Sequence, residues 1–183
     1  MMEELHTIIS DYPVIFLDIE TNGLAISTEV LEVGALKFAP GELLSQQEPV
    51  GIPFHRYVFF DGTPDQSAFD VNHLDIDVLN KEGLPIKRVL TELNDFLNGG
   101  AVGGQNIKAF DLPILHYHAG RHNVDLTHAH ILDTRIIAQK TMRLPSYSLH
   151  TLSSYFDISH RPTHRALDDV KATVQVFRKL IGL

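Results

Sequence analysis

The chain has no cysteine. That excludes a disulfide framework, a thiolate metal site and a cysteine nucleophile. It also has no apolar run near the roughly 20 residues of a membrane span. The opening stretch, Met1 to His6, is acidic and lacks the basic and apolar regions of a signal peptide. A soluble cytoplasmic protein without membrane contact is the expectation. Cations are also scarce: Lys and Arg number 15 against 23 Asp and Glu, a formal net charge of −8. Such a balance argues against a protein that coats long nucleic acid through basic stripes. It leaves room for an enzyme that engages one chain end and neutralises its own acids with metal ions. Repeats, low-complexity tracts and linkers are absent. The 183 residues suffice for one core and are too few for two, so residues 1–183 read as a single domain.

What is present centres on Pro13 to Gly23. An apolar run of strand length, Val14-Ile15-Phe16-Leu17, leads into Asp18-Ile19-Glu20 and a Thr21-Asn22-Gly23 turn signal. In a strand, residues i and i+2 point the same way, so Asp18 and Glu20 project side by side. At about 4 Å two like charges repel by roughly 4 kcal/mol at an effective dielectric near 20. Two anions on one face call for a counter-charge, and hard divalent cations favour oxygen ligands. A pair of acids at a solvated strand end is the alternative from this stretch alone.

Further strands are expected over Val30–Phe38 and His55–Phe60, making an antiparallel meander with the first. A loop or short helical piece covers Ser67 to Leu79. Apolar residues at 86, 89, 90, 93, 96 and 97 give a helix after Pro85, stopped by Asn98-Gly99-Gly100. A short strand from Ala101 runs into a turn, and a helix starts at Asp111 with Pro113 in its first turn. A brief strand at Ile131-Leu132 precedes a helix over Arg135–Thr141, with Asp133 or Thr134 as cap. Ser148 can cap Leu149–Phe156. The last helix, from about Arg165 to Leu180, carries the stripe Leu167, Val170, Val174, Phe177 and Leu180. The fold class is therefore mixed α/β, with strands early and strand–helix alternation later.

Three more positions bear chemistry. Asp111 opens a helix, where Asp is a favoured cap. Asp169 sits in the first turns of the last helix, where acids complement the macrodipole. His164 precedes Asp169 by five residues. The ordered set Asp-x-Glu, Asn-x₃-Phe-Asp and His-x-Ala-x₂-Asp resembles the DEDD exonucleases, the DnaQ-like 3′→5′ exonucleases of the ribonuclease H-like fold, in their histidine subclass. The similarity covers about residues 13–180 and rests on Asp18 to Leu24, Asn106 to Asp111, and His164 to Asp169. It implies a mixed central sheet with helices on both faces.

Carried over by residue, the resemblance implies Asp18, Glu20, Asp111 and Asp169 as metal ligands and His164 as general base. Two divalent ions, Mg²⁺ or Mn²⁺, would clamp the attacking and leaving oxygens of a phosphodiester. An imidazole ordinarily titrates near neutrality and suits the proton transfer. Asp168 is the rival to Asp169, and the spacing from His164 selects between them. Thr21 and Gly23 would contact the terminal nucleotide and Leu24 would wedge against its base. Asn106 belongs to the second motif, Phe110 would stack on a base, and His73 would lie in a loop near the site. Core packing is the alternative for Leu24 and Phe110. The chain departs from the family pattern at Gln105, where a histidine is common, and at Asn22, where a second threonine is common.

The expected activity is removal of nucleoside 5′-monophosphates from nucleic-acid 3′ ends, single-stranded DNA favoured over RNA. Its partners would be that 3′ end and, beyond it, a polymerase or a second copy of the chain. The stop at Leu183 favours a free-standing enzyme. A small-molecule phosphatase and a non-catalytic binding module are the competing readings. His116, His118, His122, His128 and His130 crowd into fifteen residues. On a helix His116 and His118 point about 200° apart, so solvated side chains are expected there rather than a second metal.

Overall fold

The computed structural model describes residues 1–159 and 163–182. Five strands, β1 (Val14–Thr21), β2 (Val30–Phe38), β3 (Ile52–Tyr57), β4 (Ala101–Gly104) and β5 (Ile131–Asp133), form one sheet in the order β3-β2-β1-β4-β5. β1, β2 and β3 pair antiparallel, while β4 and β5 run parallel to β1. The meander followed by strand–helix units is the ribonuclease H-like arrangement. β1 lies at the centre and is covered on both faces, which is why it reads as a continuous apolar run.

Alternation along β1 divides the core. Ile15, Leu17 and Ile19 pack with Val89, Leu90 and Leu93 of α4 (Ile86–Leu97) and with Leu115 of α5 (Asp111–His122). Val14 and Phe16 face the other way. There they meet Ile9 of α1 (Met2–Asp11), Ile137 of α6 (Thr134–Thr141), Leu152 of α7 (Leu149–Tyr155), and Val170, Val174 and Phe177 of α8 (Ala166–Leu180). Helices therefore cover both faces.

Three details differ from expectation. α1 has no counterpart in the sequence pattern; it is amphipathic, burying Leu5 and Ile9, and it ends before Pro13, whose ring disfavours helix in the preceding residue. β3 begins three residues earlier than the apolar run suggests and includes Pro53; it is an edge strand, where a missing N–H is tolerated. The stretch after Ser67 is two helices, α2 (Gln66–Asn72) and α3 (Ile76–Glu82). Asp65 caps the first by accepting from the Ser67 N–H, and Asp75 caps the second by accepting from the Asp77 N–H.

Candidate active site

Asp18 and Glu20 share the face of β1 that α8 covers. Opposite Asp18 in β2 stands Gly34. A Cβ at Gly34 would lie 2.5 Å from the Leu167 nitrogen and 2.6 Å from the Ala166 carbonyl carbon. The bare backbone therefore lets the first turn of α8 lie against the sheet, and Asp169 arrives beside the strand acids. Carboxylate oxygens of Asp18, Glu20 and Asp169 all fall within 4.8 Å of one another. The β1–β2 register shifts between Glu20 and Thr21, an irregularity of the kind that re-aims side chains beside functional sites.

Asp111 lines the same cleft from α5 but stands outside that group of three. It makes no cap bond to its own helix; its Oδ1 accepts from the Ile19 N–H at 3.1 Å, holding the buried carboxylate against β1. The cap expectation is thus replaced by a tie between helix and strand. Of the adjacent pair on α8, Asp169 joins the cluster while Asp168 turns out to Lys171 at 2.8 Å.

The four acids share an electrostatic problem. Burial drives Asp18 well above the ordinary carboxylate range, and the charges of Asp111, Glu20 and Asp169 drive it further. Burial, then Asp169 and Glu32, push Glu20 up to about 8. Asp111 rises to about 7 because burial outweighs its backbone hydrogen bonds, and burial also raises Asp169. A site of oxygen donors this short of positive charge fits a hard divalent cation. Asp18, Glu20 and Asp169 would hold such an ion, with Asp111 beside them.

The cluster opens into a cleft of about 680 Å³. Asp18, Glu20, Asp111, His164 and Asp169 all line it, together with Thr21, Gly23, Leu24, Asn106 and Phe110. His73 does not line it. That residue is the exposed left-handed cap ending α2 (φ 54°), while its neighbour Asn72 turns inward and donates from Nδ2 to the Thr21 carbonyl at 3.4 Å. Leu24 is 88% exposed, which rules out the core-packing alternative for it. Phe110 does both jobs, packing partly against the core and lining the cleft. The Thr21 hydroxyl already donates to the Gly23 carbonyl at 2.6 Å, so it offers a ligand only its lone pair.

His164 is exposed at the cleft with φ 56°, a left-handed conformation uncommon outside glycine. Both flanks pin it. The Thr163 N–H donates to Asp169 at 2.8 Å. On the other side, the Arg165 guanidinium bonds both oxygens of Glu32, at 3.2 and 3.0 Å, and donates to the Tyr57 hydroxyl. Glu32 is 1% exposed and also accepts from His55 at 2.6 Å and from the Ala166 N–H at 3.2 Å. Burial alone would raise Glu32, yet the His55 and Arg165 bonds overcome it and leave the carboxyl below its ordinary value.

Sequence reasoning misses several contributors. It misses the Glu32–Arg165 clamp, whose partners lie 133 positions apart. It also misses the α2 wall of Asp65, Ser67, Ala68 and Val71. Asn22, by sequence only a turn residue, accepts from the Asp65 N–H at 2.7 Å and donates to the Thr63 carbonyl at 3.1 Å, tying that wall to β1. The Asp65-x-Ser67 capping pattern is the one local signal for that wall.

Comparison with known proteins agrees with this architecture. The family described as Exonuclease (RNase_T) matches residues 15–177. The chain belongs to this exonuclease family, of the DnaQ-like DEDD type. Among curated relatives, a DNA polymerase III PolC-type protein of Caldanaerobacter subterraneus is 27% identical over 170 residues, covering 91% of this chain and 11% of the relative. Escherichia coli exonuclease I in complex with a dT13 oligonucleotide superposes with a TM-score of 0.78 at 18% identity, over 92% of this chain and 41% of that one. A zinc-bound form of the same enzyme with single-stranded DNA gives 0.76 at 19% identity, over 90% and 39%. This exonuclease-family chain thus spans about a ninth of the PolC-type relative's length. Among the described residues no helix is long and apolar enough to cross a membrane.

Proposed function

We propose that the chain is a divalent-cation-dependent 3′→5′ exonuclease of the histidine subclass, releasing nucleoside 5′-monophosphates with single-stranded DNA as preferred substrate. The observation that carries this reading is the convergence of Asp18, Glu20 and Asp169 within 4.8 Å, in a cleft that Asp111 and His164 also line. The oligonucleotide-bound and zinc-bound exonuclease I neighbours support the substrate class and the cation requirement.

Two Mg²⁺ or Mn²⁺ ions bound at the four carboxylates would stabilise the charge that develops on the attacking and leaving oxygens. The chain's own residues do the rest. His164 stands at the cleft as the base that takes a proton from the incoming water at its imidazole. The water oxygen bonds to phosphorus as the bond from phosphorus to the 3′ oxygen breaks, and that oxygen stays on the shortened strand and takes its proton from solvent. Leu24, exposed beside Gly23, presents an apolar surface to the terminal base, and Phe110 offers a ring face.

Incubating a 5′-labelled deoxyoligonucleotide with the protein and Mg²⁺ or Mn²⁺ tests the reading. A ladder shortened from the 3′ end, with mononucleotide release, is expected. Internal cuts, or shortening that persists in excess chelator, would overturn it. A matched ribose oligonucleotide tests the substrate preference; the deoxyribose strand is expected to be cut faster.

A further inference from the structure

Two segments of opposite charge border the cleft, one lining it and one joined to the lining residues Gln105 and Asn106. On one side, residues 61–82 carry Asp61, Asp65, Asp70, Asp75, Asp77 and Glu82 against a single cation, Lys81. Asp65, Ser67, Ala68 and Val71 from this segment face the cleft directly. On the other side, residues 134–156 contain no Asp or Glu and carry Arg135, Lys140 and Arg143. All three cations are exposed. In a chain with net charge −8 this is a marked segregation.

The cationic segment is fastened to the cleft at two points. Arg135 donates to the Asn106 side chain at 3.2 Å. The Tyr147 carbonyl accepts from the Gln105 Nε2 at 2.7 Å, and the Thr134 hydroxyl donates to the Oε1 of that amide. Gln105 and Asn106 both line the cleft. The loop after α6 is shaped before any ligand arrives: the Tyr147 hydroxyl donates to the Met142 carbonyl at 3.1 Å and accepts from the Leu144 N–H at 3.2 Å. Gln105, unlike the family's common histidine, has an amide whose two ends serve Thr134 and Tyr147 at once.

We infer that a single strand whose 3′ end occupies the cleft leaves it over α6 and the 142–147 loop, with Arg135 and Arg143 on its phosphates, and not over α2 and α3. The inference rests on the exonuclease reading for the placement of the 3′ end. Its physical basis is independent. A polyanion is attracted to the acid-free segment and repelled by the acidic wall, and the backbone supplies the main, salt-sensitive part of single-strand binding.

The test is equilibrium binding of a fluorescent deoxyoligonucleotide across a salt titration, with Ca²⁺ replacing the catalytic cations. Three proteins are compared: unsubstituted, Arg135→Gln/Arg143→Gln, and Lys81→Gln/Lys87→Gln, each checked for unchanged melting. The two variants carry the same net charge. Removing one cation that neutralises a single-strand phosphate lowers the logarithmic salt slope by about 0.7, so the arginine variant is expected to lose about 1.4. The lysine variant is expected to keep the unsubstituted slope. Equal losses in both variants, no loss in the arginine variant, or no strand binding by the unsubstituted protein would each overturn the strand path. Failure of the exonuclease reading is read separately, as absent 3′ shortening by the unsubstituted protein with Mn²⁺.

Discussion

Asp18 and His164 separate two kinds of contribution. Asp18 is the acid on which all the neighbouring carboxylates act, so Asp18→Ala is expected to abolish both metal binding and turnover. His164→Ala is expected to keep metal binding and lose about 100-fold or more in turnover, the usual scale for a general base. Calorimetric Mn²⁺ titration beside the ladder assay distinguishes them; a fully active Asp18→Ala variant ends the proposed site. Arg165 acts at one remove, through Glu32. Arg165→Ala leaves a buried carboxylate with only His55 and the Ala166 N–H. A loss of about 2 kcal/mol in stability is expected, below the cost of a fully buried pair because the Arg165 side chain is 36% exposed and solvent screens it. Because the left-handed His164 loses its anchor, kcat is expected to fall more than KM rises, with Arg165→Lys partly restoring it. Equal kcat in Arg165→Ala and unsubstituted protein would refute the anchoring role.

Among the elements, α8 matters most, because its first turn delivers Asp169 to the acids of β1. That docking depends on Gly34. Gly34→Ala puts a methyl group into the Ala166–Leu167 backbone, so the helix must shift away from the sheet. Overpacking of this kind costs about 1–3 kcal/mol, and the displaced Asp169 is expected to weaken Mn²⁺ affinity as well. A variant that melts like the parent and binds Mn²⁺ equally would show that α8 has room to spare. The elements also show how far local pattern carries. β1 is legible as an unbroken apolar run of strand length, β2 by its partial alternation, and α4 and α8 because they repeat their apolar residues at the helix period. The start of β3 is not, because Ile52 and Pro53 lie on an exposed edge where burial leaves no alternation. α1 escapes local pattern for a related reason: only Leu5 and Ile9 of its ten residues are buried.

For the whole molecule the cluster of raised carboxyls sets a pH dependence with a definite sign. Glu20, near 8 in the folded protein, and Asp111, near 7, would titrate near 4.5 and 3.8 when unperturbed. Between those limits the metal-free native state holds protons that the unfolded state has released, so stability falls as pH rises. Melting in excess chelator is expected to drop steadily from about pH 5 to about pH 8. Adding Mn²⁺ should raise the melting temperature most at the alkaline end, since a ligand bound only by the native state stabilises it. A flat chelator profile would contradict the shared burial of these acids.

The sequence by itself determined the chemistry available: which acids, which histidine, their order and their local elements. Strand alternation and helix period depend on neighbours a few positions apart, and such patterns survive being written in one dimension. Tertiary structure alone decided that Asp111 ties to the Ile19 N–H rather than capping its helix, that Asn72 and not His73 turns inward, and that Arg165 finds Glu32 across 133 positions. Those outcomes depend on which backbones approach closely enough to share a hydrogen bond, as at Gly34, and no local pattern records that distance.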